Sequence, residues 1–178
     1  MSSDLIKRVQ EAVVRGVRAR SRFYASIDLE DEQSLGPPAS LQAIENLEKK
    51  CGHALPPSYR TFLVLHDGWI MVDGGCDLLH TGEMISGPVA EKIRKWQALM
   101  AKEGQIALAS GLVVGFSAIS QKRIVLDFGQ LDAAGETRLI QWDSDEFSEY
   151  ESFMKWLEDT AQEFRRVLFR SSANTKAS

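Results

Sequence analysis

The sequence has little of what marks a membrane-spanning, secreted or disulfide-linked protein. None of its apolar runs approaches the roughly 20 residues that a transmembrane helix needs. Residues 1–4 lack the basic flank and apolar block of a secretory signal. Only two cysteines occur among the 178 residues, and the distance in sequence between Cys51 and Cys76 indicates reduced thiols rather than a disulfide framework. We therefore predict a cytoplasmic protein with one ordinary domain.

Motifs of nucleophilic and nucleotide-dependent catalysis are also missing from the sequence. It contains no Gly-x-Ser-x-Gly elbow, no Walker loop and no Gly-x-Gly-x-x-Gly after a strand. Ser110-Gly111 is typical of a turn, and His66-Asp67 is better interpreted as the end of a helix than as part of a catalytic dyad. We predict no catalytic residue, no cofactor and no enzymatic activity.

Cysteine and histidine occur together twice, but not at the spacings of known zinc sites. Cys51 and His53 form Cys-x-His, whereas Cys76 and His80 form Cys-x-x-x-His. Structural zinc sites use tighter and better-known spacings. We therefore predict no metal site, and interpret these residues as buried thiols and histidines at helix ends.

The stretch from Leu41 to Gly75 predicts two short amphipathic helices that lead into a hairpin. Apolar residues recur at helical spacing from Leu41 to Cys51, with Ser40 as the N-cap and Gly52 as the stop. Pro57 suits the first position of the second helix, because its missing N–H costs nothing there. Asp73-Gly74-Gly75 between two apolar runs is a hairpin signal.

The chain before this stretch predicts a basic amphipathic helix over residues 1–26 and an acidic, proline-containing linker over residues 27–40. Apolar residues recur every four positions from Leu5 to Val17, and most arginines lie off that stripe. A helix of this kind either packs on the domain or lies on an anionic membrane. We favour packing, because amphipathicity arises most often from a buried face.

The remainder alternates between strand-like and helical segments. A helix opens at Pro88 and closes at Gly104, and a last helix is predicted from Phe147 onward. Four strand-like runs lie between them: 105–110, 112–117, 122–128 and 137–142. This order predicts an α+β domain over residues 41–164, with a mostly antiparallel sheet of about five to six strands and helices covering one side.

Residues 165–178 form a basic tail with four Lys/Arg and no acid. The string from Arg166 to Ser171 matches the translation of a common sequencing adapter in one frame. Two interpretations therefore stay open for this segment, a disordered end and residues that are not native to the protein.

The ordered motifs of residues 41–164 resemble the SUKH superfamily. The resemblance rests on Leu55-Pro56-Pro57-Ser58-Tyr59, Phe62-Leu63, Asp67-Gly68, Ile124-Val125-Leu126-Asp127, Leu139-Ile140-Gln141-Trp142 and Ser152-Phe153, in that order. Families of this type often carry Asn-Gly where this chain has Asp67-Gly68, a change that keeps the helix-stop chemistry. The superfamily includes a yeast cell-wall-assembly regulator and many bacterial immunity proteins.

Acidic residues are concentrated in the second half of the chain. Residues 127–163 hold eleven Asp/Glu against Arg138 and Lys155, although the whole chain has a net charge of only −4. Such a run is usually a solvated surface. It also suits a basic protein partner, whereas it would repel the phosphates of nucleic acid. We therefore expect no direct nucleic-acid binding.

The resemblance implies a cytosolic immunity protein that blocks a cognate toxin, often a nuclease, by occlusion and without chemistry. It also leaves open a regulatory scaffold like the eukaryotic members. Membrane contact through the N-terminal helix is a third alternative, which we do not favour. The predicted partner-binding residues comprise five carboxylates and two aromatic anchors that could equally be core: Asp127, Asp143, Asp145, Glu146, Glu149, Trp69 and Trp142.

Overall fold

The computed structural model describes residues 2–73, 75–144 and 146–175, with the side chains at 165 and 167–175 left out. Its helices are α1 Ser3–Ser26, α2 Leu41–Cys51, α3 Pro57–Leu65, α4 Thr81–Ile85, α5 Gly87–Lys102, α6 Ile106–Ser110 and α7 Phe153–Thr175. Its strands are β1 Ser34–Leu35, β2 Trp69–Ile70, β3 Asp77–Leu78, β4 Leu112–Phe116, β5 Arg123–Leu131, β6 Thr137–Asp143 and β7 Glu146–Tyr150.

The strands lie side by side in chain order from β1 to β7, and each is antiparallel to the next. The predicted α+β class with an antiparallel sheet is confirmed. The described part of the chain has seven strands rather than five or six, because two-residue strands such as β1 extend the sheet at one edge.

The two helices predicted after residue 40 are present, and they begin or end at the residues that the sequence predicted. The Ser40 hydroxyl accepts a hydrogen bond from the Ala43 N–H at 3.1 Å, and Gly52 ends α2 with φ of 75°. Such a φ suits glycine, which has no Cβ to clash. Pro57 is the first residue of α3. The predicted hairpin is also present, with Trp69 opposite Leu78.

Helices cover both faces of the sheet, which corrects the prediction of helices on one side only. Successive residues of a strand point to opposite faces. On β6, Gln141 accepts a hydrogen bond from the indole N–H of Trp156 in α7 at 3.0 Å. Its neighbour Trp142 packs on Trp96 of α5, with ring centroids 5.4 Å apart. α7 and α5 therefore lie on opposite faces.

Helix α1 belongs to the hydrophobic core. Its residues Val9, Ala12 and Val13 are buried, and the helix packs chiefly against α7. Arg8 and Arg15 lie 4.0 and 3.9 Å from Glu158 of α7. The apolar stripe of α1 is thus covered by protein rather than open to a membrane. No helix in the described ranges is long and apolar enough to cross a membrane.

Several predicted elements differ from the structure. Residues 105–110 were expected to be a strand, but 106–110 form α6, in which Ala107 and Ala109 favour a helix. The last helix begins at Phe153 rather than near Phe147, because residues 146–150 pair with β6 as strand β7. A five-residue run is too short for its apolar periodicity to distinguish a helix from a strand.

The predicted linker and tail are also more structured than expected. Residues 34–35 pair with β2, and Asp31 forms an ion pair with Arg20 of α1 at 2.7 Å. The helical backbone of α7 continues to Thr175, within the segment predicted as the tail. Residues 176–178 lie outside the described residues.

Candidate functional site

Strand β7 forms one edge of the sheet. It pairs with β6 along its whole length, from Asp143 opposite Glu146 to Leu139 opposite Tyr150. In the described part of the chain, no strand pairs with its other side. Residues 146–149 are exposed. Alternate residues of an antiparallel edge strand direct their N–H and C=O groups away from the sheet, where a further strand can pair with them.

Phe147 and Glu149 project on the same face of the sheet as α5. The register places Phe147 opposite Trp142, and Trp142 packs against α5. Residues two positions apart in a strand share a face. Glu149 therefore projects on this face too. Glu151 follows the end of β7 in a bend.

A groove lies on this face between β7 and α5. It has a volume of about 430 Å³, and its lining combines apolar and polar side chains: Trp96, Leu99, Met100, Trp142 and Phe147 with Glu103, Gln105, Gln121 and Ser144. Leu99 and Phe147 are each about half exposed, although both are large apolar side chains. The indole nitrogen of Trp96 is buried without a hydrogen-bond partner among the described atoms. We call this site the aromatic groove.

An acidic hollow adjoins the aromatic groove farther along β7. It has a volume of about 400 Å³ and includes Glu136, Arg138, Glu149 and Glu151 in its lining. The Arg138 guanidinium donates to Asp127 at 2.6 Å and to both carboxylate oxygens of Glu149 at 3.1 Å. The hydrogen bond to Asp127, with the charge of Glu149, raises the pKa of Arg138. Carboxylates thus outnumber the one guanidinium in this hollow.

Three of the predicted contact residues lie inside the domain. Trp69 is 1% exposed, and its indole N–H donates to Gln33 at 3.1 Å. Trp142 is 8% exposed and forms the floor of the aromatic groove rather than a projecting anchor. Asp127 is 4% exposed and is neutralised by Arg138. Of the two roles left open for Trp69 and Trp142, burial favours the core, and Asp127 is buried as well.

The other predicted residues lie at the β7 edge. Asp143 is partly exposed and lies 3.9 Å from Lys122, which is held more closely by Asp73 at 2.9 Å. Glu146 is exposed at the start of β7. Glu149 keeps more than half of its side chain exposed despite its contact with Arg138. Asp145 lies outside the described residues.

Most of the acidic segment is engaged in contacts within the chain. Eight of its eleven carboxylates have a hydrogen-bond or ion-pair partner: Asp127, Asp132, Glu136, Asp143, Glu149, Glu158, Asp159 and Glu163. Glu146 and Glu151 have none among the described atoms. Six of these eight contact a cation, whereas Asp132 and Glu136 accept only from neutral N–H or O–H groups. The carboxylates without a cation in the described residues therefore lie along β7 and in the acidic hollow.

Neither cysteine belongs to a metal cluster. No group of three or more metal-ligating side chains occurs in the ranges that the structure describes. Burial raises the pKa of the Cys76 thiol far above its usual range, so it stays protonated. Burial also raises the pKa of Cys51, whose thiol donates to the carbonyl oxygens of Glu48 and His53.

Sequence reasoning missed the residues that give the β7 edge its shape. Trp96, Leu99 and Met100 lie in the helix predicted between Pro88 and Gly104, but helical spacing of apolar residues does not distinguish core from groove. Phe147 was assigned to a helix. Its alternation with Ser148 and Glu149 was the available signal for a half-exposed strand.

Comparison with known proteins adds no family assignment. No protein-family model matches this chain, and no curated protein matches it significantly. The SUKH membership stays a prediction from the motifs of residues 41–164.

Proposed function

We propose that this chain is a non-catalytic immunity protein, which binds a cognate toxin in the cytoplasm and blocks it by covering its active site. The proposal joins the resemblance of residues 41–164 to the SUKH superfamily with one structural observation. An edge strand with no strand on its other side among the described residues presents exposed carboxylates beside a groove lined by aromatic and polar side chains. A mixed surface of this kind suits a protein partner, because aromatic side chains supply buried area and charges supply orientation.

The partner that fits this edge is basic. Glu146 and Glu151 are exposed and free of partners in the described residues, and Glu149 is only partly neutralised by Arg138. A toxin that cleaves nucleic acid holds phosphates with Lys and Arg side chains. Carboxylates placed against those side chains would deny the substrate access, and opposite charges across the interface would speed association.

Co-expression with the product of the neighbouring gene tests this function. We expect the wild-type chain to restore growth of cells that express the toxin and to co-purify with it. The double variant Glu146→Lys/Glu151→Lys should weaken the complex and reduce its dependence on salt concentration, because it removes attraction between exposed charges.

The matched control is Glu45→Lys/Glu91→Lys, which reverses two exposed carboxylates on α2 and α5. It makes the same change in net charge but leaves β7 intact. Equal weakening by both double variants would show that only net charge matters and would refute a contact at β7. Absence of both rescue and co-purification for the wild-type chain would refute the immunity function.

A further inference from the structure

The face of β7 that points toward α5 carries two different sites in a row. Phe147 borders the aromatic groove, and Glu149 borders the acidic hollow. The two residues are two positions apart, a spacing of roughly 7 Å along a strand. Side chains of a strand paired with β7 would repeat at the same spacing and would meet the two sites in turn.

We infer that β7 receives an extended segment of the partner as an eighth antiparallel strand, with one apolar side chain in the aromatic groove and one or two basic side chains at the acidic hollow. This inference rests on the proposed function for the existence of a protein partner. It adds the mode of binding, in which main-chain hydrogen bonds give affinity and the two sites give specificity.

The backbone of β7 supports an added strand. Its residues 146–149 are exposed, and the described elements provide no strand beyond it. Natural edge strands are usually protected by charge, proline or a bulge. β7 has no proline and pairs with β6 in an unbroken register. Its charged residues are all acidic, so they repel an acidic strand and attract a basic one.

Charge decides which strand fits. A second copy of this chain would bring its own β7 alongside, and the charged residues of both strands, Glu146 and Glu149, would all be acidic. This is unfavourable because like charges on paired strands repel. A strand with Lys or Arg opposite Glu149 and Glu151 gains attraction instead. The partner is therefore a basic segment rather than another copy.

The register predicts the order of residues in that segment. Glu151 lies in the bend just past the end of β7 and lines the acidic hollow. Because the added strand runs antiparallel to β7, the residue near Glu151 comes first, followed at alternate positions by those opposite Glu149 and Phe147. The expected pattern is basic-x-basic-x-apolar. The apolar residue enters the groove between Phe147 and Leu99, each of which is half exposed in the free chain.

The test uses an acetylated and amidated peptide, Lys-Thr-Lys-Thr-Leu-Thr, added to the ¹⁵N-labelled full-length protein and followed by NMR. We expect saturable shifts of the amides of residues 146–151 and of the indole N–H groups of Trp96 and Trp142. Hydrogen exchange at residues 146–151 should slow on binding. The charge-reversed peptide, Glu-Thr-Glu-Thr-Leu-Thr, should cause no saturable shift.

Two variants separate the contribution of the aromatic groove to peptide binding from that of the acidic hollow. Leu99→Glu should abolish saturation by placing a charge in the groove without altering β7. Glu149→Gln/Glu151→Gln should weaken binding several-fold and make it insensitive to salt. Leu41→Glu, at a leucine on α2 that is also largely exposed, is the matched control and should bind as the wild type does.

Four results would overturn the inference. The first is no saturable shift at residues 146–151 with millimolar Lys-Thr-Lys-Thr-Leu-Thr, and the second is equal shifts with the charge-reversed peptide. The third is unchanged peptide binding by Leu99→Glu. The fourth is protection of residues 146–151 from hydrogen exchange that rises with protein concentration in the absence of peptide, because it would indicate pairing with a second copy. Because the peptide test needs no toxin, it can fail while the wild-type chain still rescues cells. It can also succeed while rescue fails, which would refute only the immunity function.

Discussion

Glu136 accepts two hydrogen bonds from Ser58, one from its backbone N–H at 2.7 Å and one from its hydroxyl at 2.6 Å. The two residues are 78 positions apart. Ser58 lies in the first turn of α3, where backbone N–H groups have no partner within the helix. The N-cap Pro56 makes no side-chain hydrogen bond. Glu136, just before β6, thus supplies the cap that the local sequence lacks.

Removal of this cap should destabilise the domain. We expect Glu136→Ala to lower the free energy of unfolding by about 1–3 kcal/mol, because it leaves a partly buried N–H and hydroxyl without their acceptor. Urea titration followed by circular dichroism measures the change. Glu45→Ala, at an exposed position of α2, is the control and should change the value by less than about 0.5 kcal/mol. Similar losses in both variants would contradict the capping role.

The two carboxylate contacts of Arg138 should contribute very different amounts to the free energy of unfolding. Arg138→Met leaves the buried Asp127 carboxylate without its cation, so we expect a loss of at least about 2 kcal/mol of stability. Glu149→Gln should cost less than about 0.5 kcal/mol, since its side chain is mostly exposed. Asp127→Asn in the Arg138→Met background should recover part of the loss. No recovery in thermal unfolding would argue against an unpaired charge as the cause.

The pH dependence of stability should include a contribution from Asp31. Burial of this carboxyl favours its neutral form, but the hydrogen bonds from Arg20 and Ser21 and the Arg20 charge outweigh burial and hold the pKa of Asp31 below its usual value. A lowered pKa stabilises the fold above the unfolded value of about 3.9, and the effect is lost as pH falls through the folded pKa.

Asp31→Asn should therefore be less stable than the wild type near pH 6, with a gap that narrows progressively below about pH 4. Chemical denaturation at a series of pH values measures that gap. Asp28→Asn, at an exposed position in the same loop, serves as the control. A gap that stays constant down to pH 2 would show that Asp31 does not act through its charge.

The contact between α1 and Trp69 leaves no room for a methyl group. A Cβ on Gly16 would lie 2.9 Å from the buried Trp69 ring, so the ring or the helix would have to shift within the core. We expect Gly16→Ala to destabilise the domain by about 1–3 kcal/mol through overpacking, despite the better helix propensity of alanine.

Gly82→Ala is the matched control for this substitution, because Gly82 is an exposed glycine of α4 with no atom within 4 Å of the added Cβ. It should be neutral or slightly stabilising. Calorimetric melting of both variants makes the comparison. A stabilised Gly16→Ala would mean that α1 does not pack against Trp69 as described.

The predicted acidic surface differs from the observed one because amino-acid composition does not show which carboxylates pair with a cation. The sequence shows how many carboxylates lie between residues 127 and 163, but their neutralisation depends on cations brought from elsewhere. Glu158 meets Arg8 and Arg15 of α1, and Asp143 meets Lys122. These contacts join residues distant in the chain, so no local pattern could predict them. The same holds for Trp69, whose burial depends on α1.

The sequence by itself determined the local elements whose signals lie within a few residues: the two ends of α2, the start of α3 at Pro57, the β2–β3 hairpin, and the strands β4 to β6. These depend on backbone geometry and on periodic apolar residues, which neighbouring positions encode. Only the tertiary structure decided that residues 146–150 form an edge strand and that helices cover both faces. Hydrogen bonds to β6 and burial against α5 and α7 outweigh weak local preference in short segments, and those contacts exist only once the chain has folded.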